Sequence, residues 1–132
     1  MDGAGFFTEL RGAGFLMALH WKQEGQMKAN IRPCIAYVAW RSISGKEVSG
    51  IFDLTASKRV LVGGLVTPHA VDVQEHDCHL VGKGNGSEYS LYDGGDHITL
   101  RTKNGSFAGH DFGTSSNFSG KVSGKTLNLL RL

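Results

Sequence analysis

The stretch Tyr89–Val122, YSLYDGGDHITLRTKNGSFAGHDFGTSSNFSGKV, decides the fold. Tyr89 and Leu91 alternate with polar residues, Asp93-Gly94-Gly95-Asp96 breaks the run, and Ile98 and Leu100 resume it. Asn104-Gly105 turns the chain again and Phe107 starts a new run. Asp111–Asn117 interrupts that run before Phe118 and Val122. Alternation with a period of two, bounded by Gly, Asn and Asp, is the mark of strands joined in hairpins. Asn-Gly suits a type I′ turn because both central residues of that turn take positive φ.

The pattern extends towards the N-terminus. Four polar–apolar pairs each open a returning strand: Arg59-Val60, His79-Leu80, His97-Ile98 and Asn117-Phe118, at spacings of 20, 18 and 20 residues. An acidic residue ends the outgoing strand at Asp53, Asp93 and Asp111, with Asp72 or Glu75 as the counterpart in the second unit. Gly63, Gly82, Gly105 and Gly124 close the units and are expected at equivalent turns or bulges, several with positive φ. A single hairpin cannot bury enough surface to stand alone, so the units must share a sheet. The expected fold is mainly β: an antiparallel meander of about four hairpin repeats with one or two flanking strands. Curling it into a barrel-like or radial sheet would remove exposed edges.

At 132 residues the chain is one domain, and its 19 Gly against 2 Pro suit tight turns. The formal charge of +2 is carried by residues 1–45, with five basic and three acidic residues, whereas residues 46–132 carry nine of each. A neutral repeat body argues against a nucleic-acid partner, which needs clustered basic charge. No apolar run reaches the roughly 18 residues of a membrane helix. Asp2 and Glu9 replace the basic start of a secretory signal, and Phe15–Leu19 is too short for its apolar region. Cys34 and Cys78 are too few for a disulfide framework, so a reducing cytoplasm is the default location.

Residues 1–26 show no dominant period, with Phe6, Phe7, Leu10 and Phe15 set among Gly3, Gly5, Gly12 and Gly14. They read as an N-terminal extension or arm to a domain spanning 27–132, because Met27 opens a plausible start, with hairpins from residue 46. Ile31–Trp40, IRPCIAYVAW, is apolar on every side. Such a run fits a buried strand or a buried helix, and Tyr37, Val38 and Trp40 favour a strand.

Gly120–Thr126, GKVSGKT, imitates a phosphate-binding loop. Ser119 stands where the first Gly belongs, and only six residues follow for the required helix, so a nucleotide site is rejected. Gly82-Lys83-Gly84-Asn85-Gly86 reads as a turn between strands. The densest reactive cluster is Glu75-His76-Asp77-Cys78-His79. In a strand His76 and Cys78 share one face and His79 lies on the other, so zinc would need further ligands such as His97. His76, Cys78, His79 and His97 are therefore the candidate metal set, against a polar turn with a small buried Cys. Asp93 and Asp96 flank a Gly-Gly turn, and the adjacency of His110 and Asp111 does not make a dyad, because strand neighbours point apart. Tyr89, Tyr92, Phe107, Phe112 and Phe118 read as core filling, with a ligand platform as the alternative.

Asp111–Leu129, DFGTSSNFSGKVSGKTLNL, resembles a hairpin unit of small uncharacterised bacterial all-β proteins, in which an Asp-aromatic-x-Ser/Thr turn precedes His/Asn-Phe and a Gly-containing strand. The resemblance implies an all-β hairpin array and transfers no activity. The expected function is a non-enzymatic binding or assembly module without a cofactor. The alternative is a metal- or small-anion-binding protein, zinc included, or a hydrolase, working through His, Asp and Cys side chains. Arg59, His79, His97 and Asn117 would share one rim and hold a small anion when the imidazoles are protonated. Leu127, Leu129, Leu130 and Leu132 leave an apolar strand uncovered, so a homodimer is expected.

Overall fold

The computed structural model describes residues 16–22, 31–46, 48, 50–53, 57–76, 78–123 and 126–131. Eleven strands and one helix follow in order: β1 (Leu16–Lys22), α1 (Arg32–Ser44), β2 (Gly50–Asp53), β3 (Lys58–Val60), β4 (Gly63–Val66), β5 (Ala70–Glu75), β6 (Cys78–Gly84), β7 (Glu88–Asp93), β8 (Asp96–Lys103), β9 (Ser106–Asp111), β10 (Ser116–Ser123) and β11 (Thr126–Arg131). They form one sheet in the order β3-β2-β1-β11-β10-β9-β8-β7-β6-β5-β4. From β4 to β11 every neighbouring pair is antiparallel, so the expected meander is present.

The four hairpin units fall where the sequence places them. Arg59, His79, His97 and Asn117 are the second residues of β3, β6, β8 and β10, and Asp53, Glu75, Asp93 and Asp111 are the last residues of the strands before them. Glu75 rather than Asp72 is thus the acidic counterpart in the second unit. The turns β2–β3, β5–β6, β7–β8 and β9–β10 all lie at one rim of the sheet, and β4–β5, β6–β7, β8–β9 and β10–β11 lie at the opposite rim.

Ile31–Trp40 is a helix, not the expected strand. Pro33 sits in the first turn, where its missing N–H costs nothing. Gly45 ends α1 in the left-handed region at φ 72°, donating its N–H to Arg41 O at 2.9 Å. Every residue from Pro33 to Trp40 is buried. A helix apolar all round belongs inside a core, and α1 contacts β2, β4, β5, β6, β8, β10 and β11. Elements from both ends of the strand order touch it, so the sheet curls around α1.

The two edges of the sheet are one run of chain. Following the pairings round the order, β3 and β4 point the same way, and only Leu61-Val62 separates them. Val60 and Val62 are buried while Arg59, Leu61 and Gly63 are exposed, so the alternation continues through the join. Lys58–Val60 pairs with β2 and Gly63–Val66 with β5. A single strand therefore passes from one edge to the other and ties the curled sheet together.

Within the segment read as an N-terminal extension or arm, Leu16–Lys22 forms β1. β1 pairs in parallel with β2 on one side and β11 on the other, and α1 supplies the crossover that parallel neighbours require. Residues 1–15 and 23–30 lie outside the described residues. β11 likewise has a partner on both sides, and Leu132, the last of the apolar residues from which a dimer is expected, lies outside the described residues.

Of the four glycines expected at equivalent turns, Gly105 is at one, with φ 81° beside Asn104 at φ 52°. Gly63 opens β4 and Gly82 lies inside β6, neither with positive φ, and Gly124 lies outside the described residues. Gly82 and Gly109 answer a different demand. A Cβ at Gly82 would strike Ser90 O and Leu91, and one at Gly109 would strike Thr99 O and the Phe118 ring. Glycine inside a strand allows this close approach where a sheet bends sharply.

Candidate functional site

With α1 filling the interior, the chemistry-bearing side chains face outwards. The aromatic residues divide accordingly: Tyr89, Phe107 and Phe118 are buried, whereas Tyr92 and Phe112 are 43% and 56% exposed. Register places Val81, Tyr92 and His97 in one row across β6, β7 and β8, and Phe112 N–H donates to His97 O at 2.9 Å just beyond β9. His97 stacks between Tyr92, centroids 4.7 Å apart, and Phe112, 5.3 Å apart, and His110 meets Phe112 edge-on at 4.4 Å. His97 is thus covered by a ring on each face.

The next row is polar. Lys83, Ser90, Thr99, His110 and Asn117 are cross-strand neighbours on β6 to β10. Beyond it, Glu88 and Arg101 pair across β7 and β8, and Arg101 faces Ala108 on β9. These two rows line a groove of about 740 Å³ that runs across the strands. Ser90, Thr99 and Ala108 are short, so they form its floor. Glu88 and Arg101 stand along one side, and the aromatic row lies outside the groove, two residues further along the strands. Lys83 and Arg101 make no ion pair among the described residues.

Three side-chain pairs recur on this outer face at a sequence offset of seven. His79 Nε2 lies 2.7 Å from Asp72 Oδ1, His97 Nε2 lies 2.7 Å from Ser90 Oγ, and His110 Nδ1 lies 2.7 Å from Asn117 Oδ1. Asn117 Oδ1 accepts from His110 Nδ1, which leaves the ring's Nε2 without a protein partner.

The four residues read as an anion rim occupy equivalent positions without converging. His79, His97 and Asn117 stand on alternate strands about 10 Å apart and are each engaged with a neighbour. Arg59 is on β3, at the other end of the strand order. The residues of the metal set are not brought together. Cys78 is buried inside the sheet, His79 is exposed outside it, His76 is in the turn, and His97 is two strands away. Among the described residues no three His, Cys, Asp or Glu side chains are arranged to hold a metal. Asp77 lies outside the described residues.

Cys34, in the first turn of α1, and Cys78 are free and buried, and their thiols hydrogen-bond to each other. That bond, then burial, then the negative charges around it hold the Cys34 thiol well above its ordinary value of 9.0. These thiols are packing groups rather than nucleophiles.

Asp111, 3% exposed, shapes the β9–β10 turn: Oδ1 accepts from Gly113 N–H at 2.9 Å and Oδ2 from Thr114 Oγ1 at 3.1 Å. This explains the Asp-aromatic-x-Thr pattern, in which the Asp and Thr hold the turn and Phe112 is presented outwards. His110 and Asp111 point to opposite faces and form no dyad. Gly120–Ser123 lies in β10 and Thr126 opens β11, so the imitation phosphate loop is part of a hairpin.

The groove is not visible in the sequence alone. Its members are spread over Lys83–Asn117 and meet only through the register of five strands. The one available signal was the outward phase of the alternation, which marks Ser90, Thr99 and Arg101 as one-sided. No helix among the described residues is long and apolar enough to cross a membrane. No known protein family, curated protein or solved structure matches the chain.

Proposed function

We propose that this protein is a non-enzymatic binding module whose working surface is the outer face of β6–β10. The observation that carries the reading is the transverse groove, polar along its floor and lined by Lys83, Glu88, Arg101, His110 and Asn117. The interior is occupied by α1, so a barrel-type internal ligand has no room. The side chains that bear acid–base chemistry are paired off separately at 2.7 Å rather than gathered around one point. The test is an amide-resolved NMR titration with phosphate, citrate, short oligosaccharides and capped acidic peptides. Perturbations confined to residues 83–119 on the outer face are expected for at least one probe. Perturbations confined to the interior, or to the β4–β5 end of the sheet, would overturn the reading.

Assembly is the second reading. Leu61 and Leu65, 70% and 50% exposed, stand on the run that joins the two sheet edges. A two-fold dimer covering them is expected to show as a doubled mass in light scattering, reduced to the monomer by Leu61→Lys with Leu65→Lys.

A further inference from the structure

We infer that the groove binds an acidic oligosaccharide lying across the strands, one sugar residue to each strand or nearly so. The inference rests on the outer face being the binding surface. Its first support is spacing. Lys83, Ser90, Thr99, His110 and Asn117 offer one polar side chain per strand on five successive strands. Strands repeat at about 4.8 Å, so the row runs for about 19 Å. A linked pyranose advances by a similar step, and each ring brings hydroxyls that both donate and accept. A peptide advances by about 3.3 Å per residue and falls out of step with the row after two strands. Lying across the strands, it also cannot use its backbone to extend the sheet.

The second support is the polar chemistry of the row. Thr99 Oγ1 donates and accepts, and the Nε2 of His110 is left open by the bond that Asn117 makes to Nδ1. Such mixed groups suit hydroxyls better than a point anion, which asks for donors alone. The third support is charge. Lys83 stands at one end of the groove and Arg101 on its side wall, on either side of Ser90 in the strand order. Both are free to meet carboxylates, Arg101 through a bidentate pair. Glu88, directly across from Arg101, limits the net positive charge and disfavours a polyphosphate backbone. The groove's own lining holds sugars by polar and ionic contacts.

The experiment uses the whole chain with four probes: tetragalacturonate, galacturonate monomer, maltotetraose and tetraglutamate, followed by calorimetry and amide NMR. Tetragalacturonate is expected to bind in the groove, with both the monomer and the neutral maltotetraose weaker by about tenfold or more. Lys83→Ala and Arg101→Ala should each weaken the tetramer by about tenfold, the scale of a lost charge-assisted bond. Thr99→Trp should block the floor while far-ultraviolet circular dichroism confirms the fold; Thr99→Val, nearly isosteric, repeats the test should Trp disturb the sheet. Equal binding of monomer and tetramer overturns the inference, as does tetramer binding indifferent to Lys83→Ala and Arg101→Ala. Groove-localised binding of tetraglutamate in place of the saccharide overturns it too, but leaves the outer face as the binding surface. No groove perturbation by any probe overturns both.

Discussion

The Phe118 ring lies directly over Gly109, its cross-strand partner on β9. Phe118 is fully buried, and the same glycine is hemmed by Thr99 O on the other neighbouring strand. Gly84 stands in the same relation to Tyr89, whose ring occupies the place of a Cβ. Large rings thus fill the side-chain space that glycines leave on the inner face, and the sheet bends where they do so.

From this contact follows the first prediction. Gly109→Ala should destabilise the protein by about 1–3 kcal/mol, as overpacking of a core does, and lower the melting temperature by several degrees. Gly95→Ala is the control, because a Cβ there meets nothing within 4 Å and the residue has no positive φ. Equal melting of the two variants would show that Phe118 does not rest on Gly109.

Asp111 gives the second. Its carboxylate satisfies Gly113 N–H and the Thr114 hydroxyl in a turn whose Ser115 takes φ 56°. Asp111→Ala should cost about 1–3 kcal/mol, the penalty for stranding buried polar groups. Thr114→Val should cost less, since it removes one donor and leaves the carboxylate bonded to Gly113. The order of the two in urea unfolding tests the assignment, and a larger loss in Thr114→Val would contradict it.

The buried thiols give the third. Cys34 is held above its ordinary value of 9.0 by its bond to Cys78, by burial and by nearby negative charge. In the unfolded chain the thiol ionises above that value, while in the folded chain it keeps its proton. The unfolded state therefore binds fewer protons in that range, and stability falls as pH rises past 9, by up to about 1.4 kcal/mol per unit. Below 9 the thiol contributes no pH dependence. In Cys34→Ala this alkaline slope should be shallower, although the variant is less stable overall because it loses a buried sulfur. Identical slopes in chemical denaturation at pH 8 and pH 10 would refute the assignment. Iodoacetamide should label neither cysteine until the protein unfolds.

Local chemistry made the hairpins legible. Asn104-Gly105 and Asp93-Gly94-Gly95-Asp96 specify tight turns by themselves, and the strands between them alternate because one face meets the core. The helix was not legible for the converse reason. A period of 3.6 appears only when a helix has a wet side, and Pro33–Trp40 has none once the sheet wraps it. Tyr37, Val38 and Trp40 favour a strand by propensity, but β-propensity records fit to a half-buried surface and tertiary enclosure overrides it. Gly82 is illegible on similar grounds: its demand comes from Leu91 and Ser90 on the next strand, not from its own φ. The groove depends on register between five strands, which no single segment encodes.

The last prediction concerns β1. Removing residues 1–26 deletes Leu16–Lys22, which pairs through Leu19 with both Leu127 on β11 and Asp53 on β2. Without it the sheet loses two ladders at once and gains two unpaired edges beside α1. β2 and β3 would then keep no sheet neighbour beyond each other and be held only by packing on α1 and by the chain on either side of them. Such a loss exceeds what one hairpin contributes and is comparable with the net stability of a small domain, about 5–15 kcal/mol. The truncated chain is therefore expected to lose its cooperative melting transition. A single substitution separates backbone pairing from the effect of shortening the chain. Leu19→Pro removes one interior ladder N–H and clashes in a strand paired on both sides, a cost of about 3 kcal/mol or more. Both variants should bind a dye for exposed apolar surface where the full chain does not. A truncated protein that melts like the full chain would show that β1 is not part of the sheet.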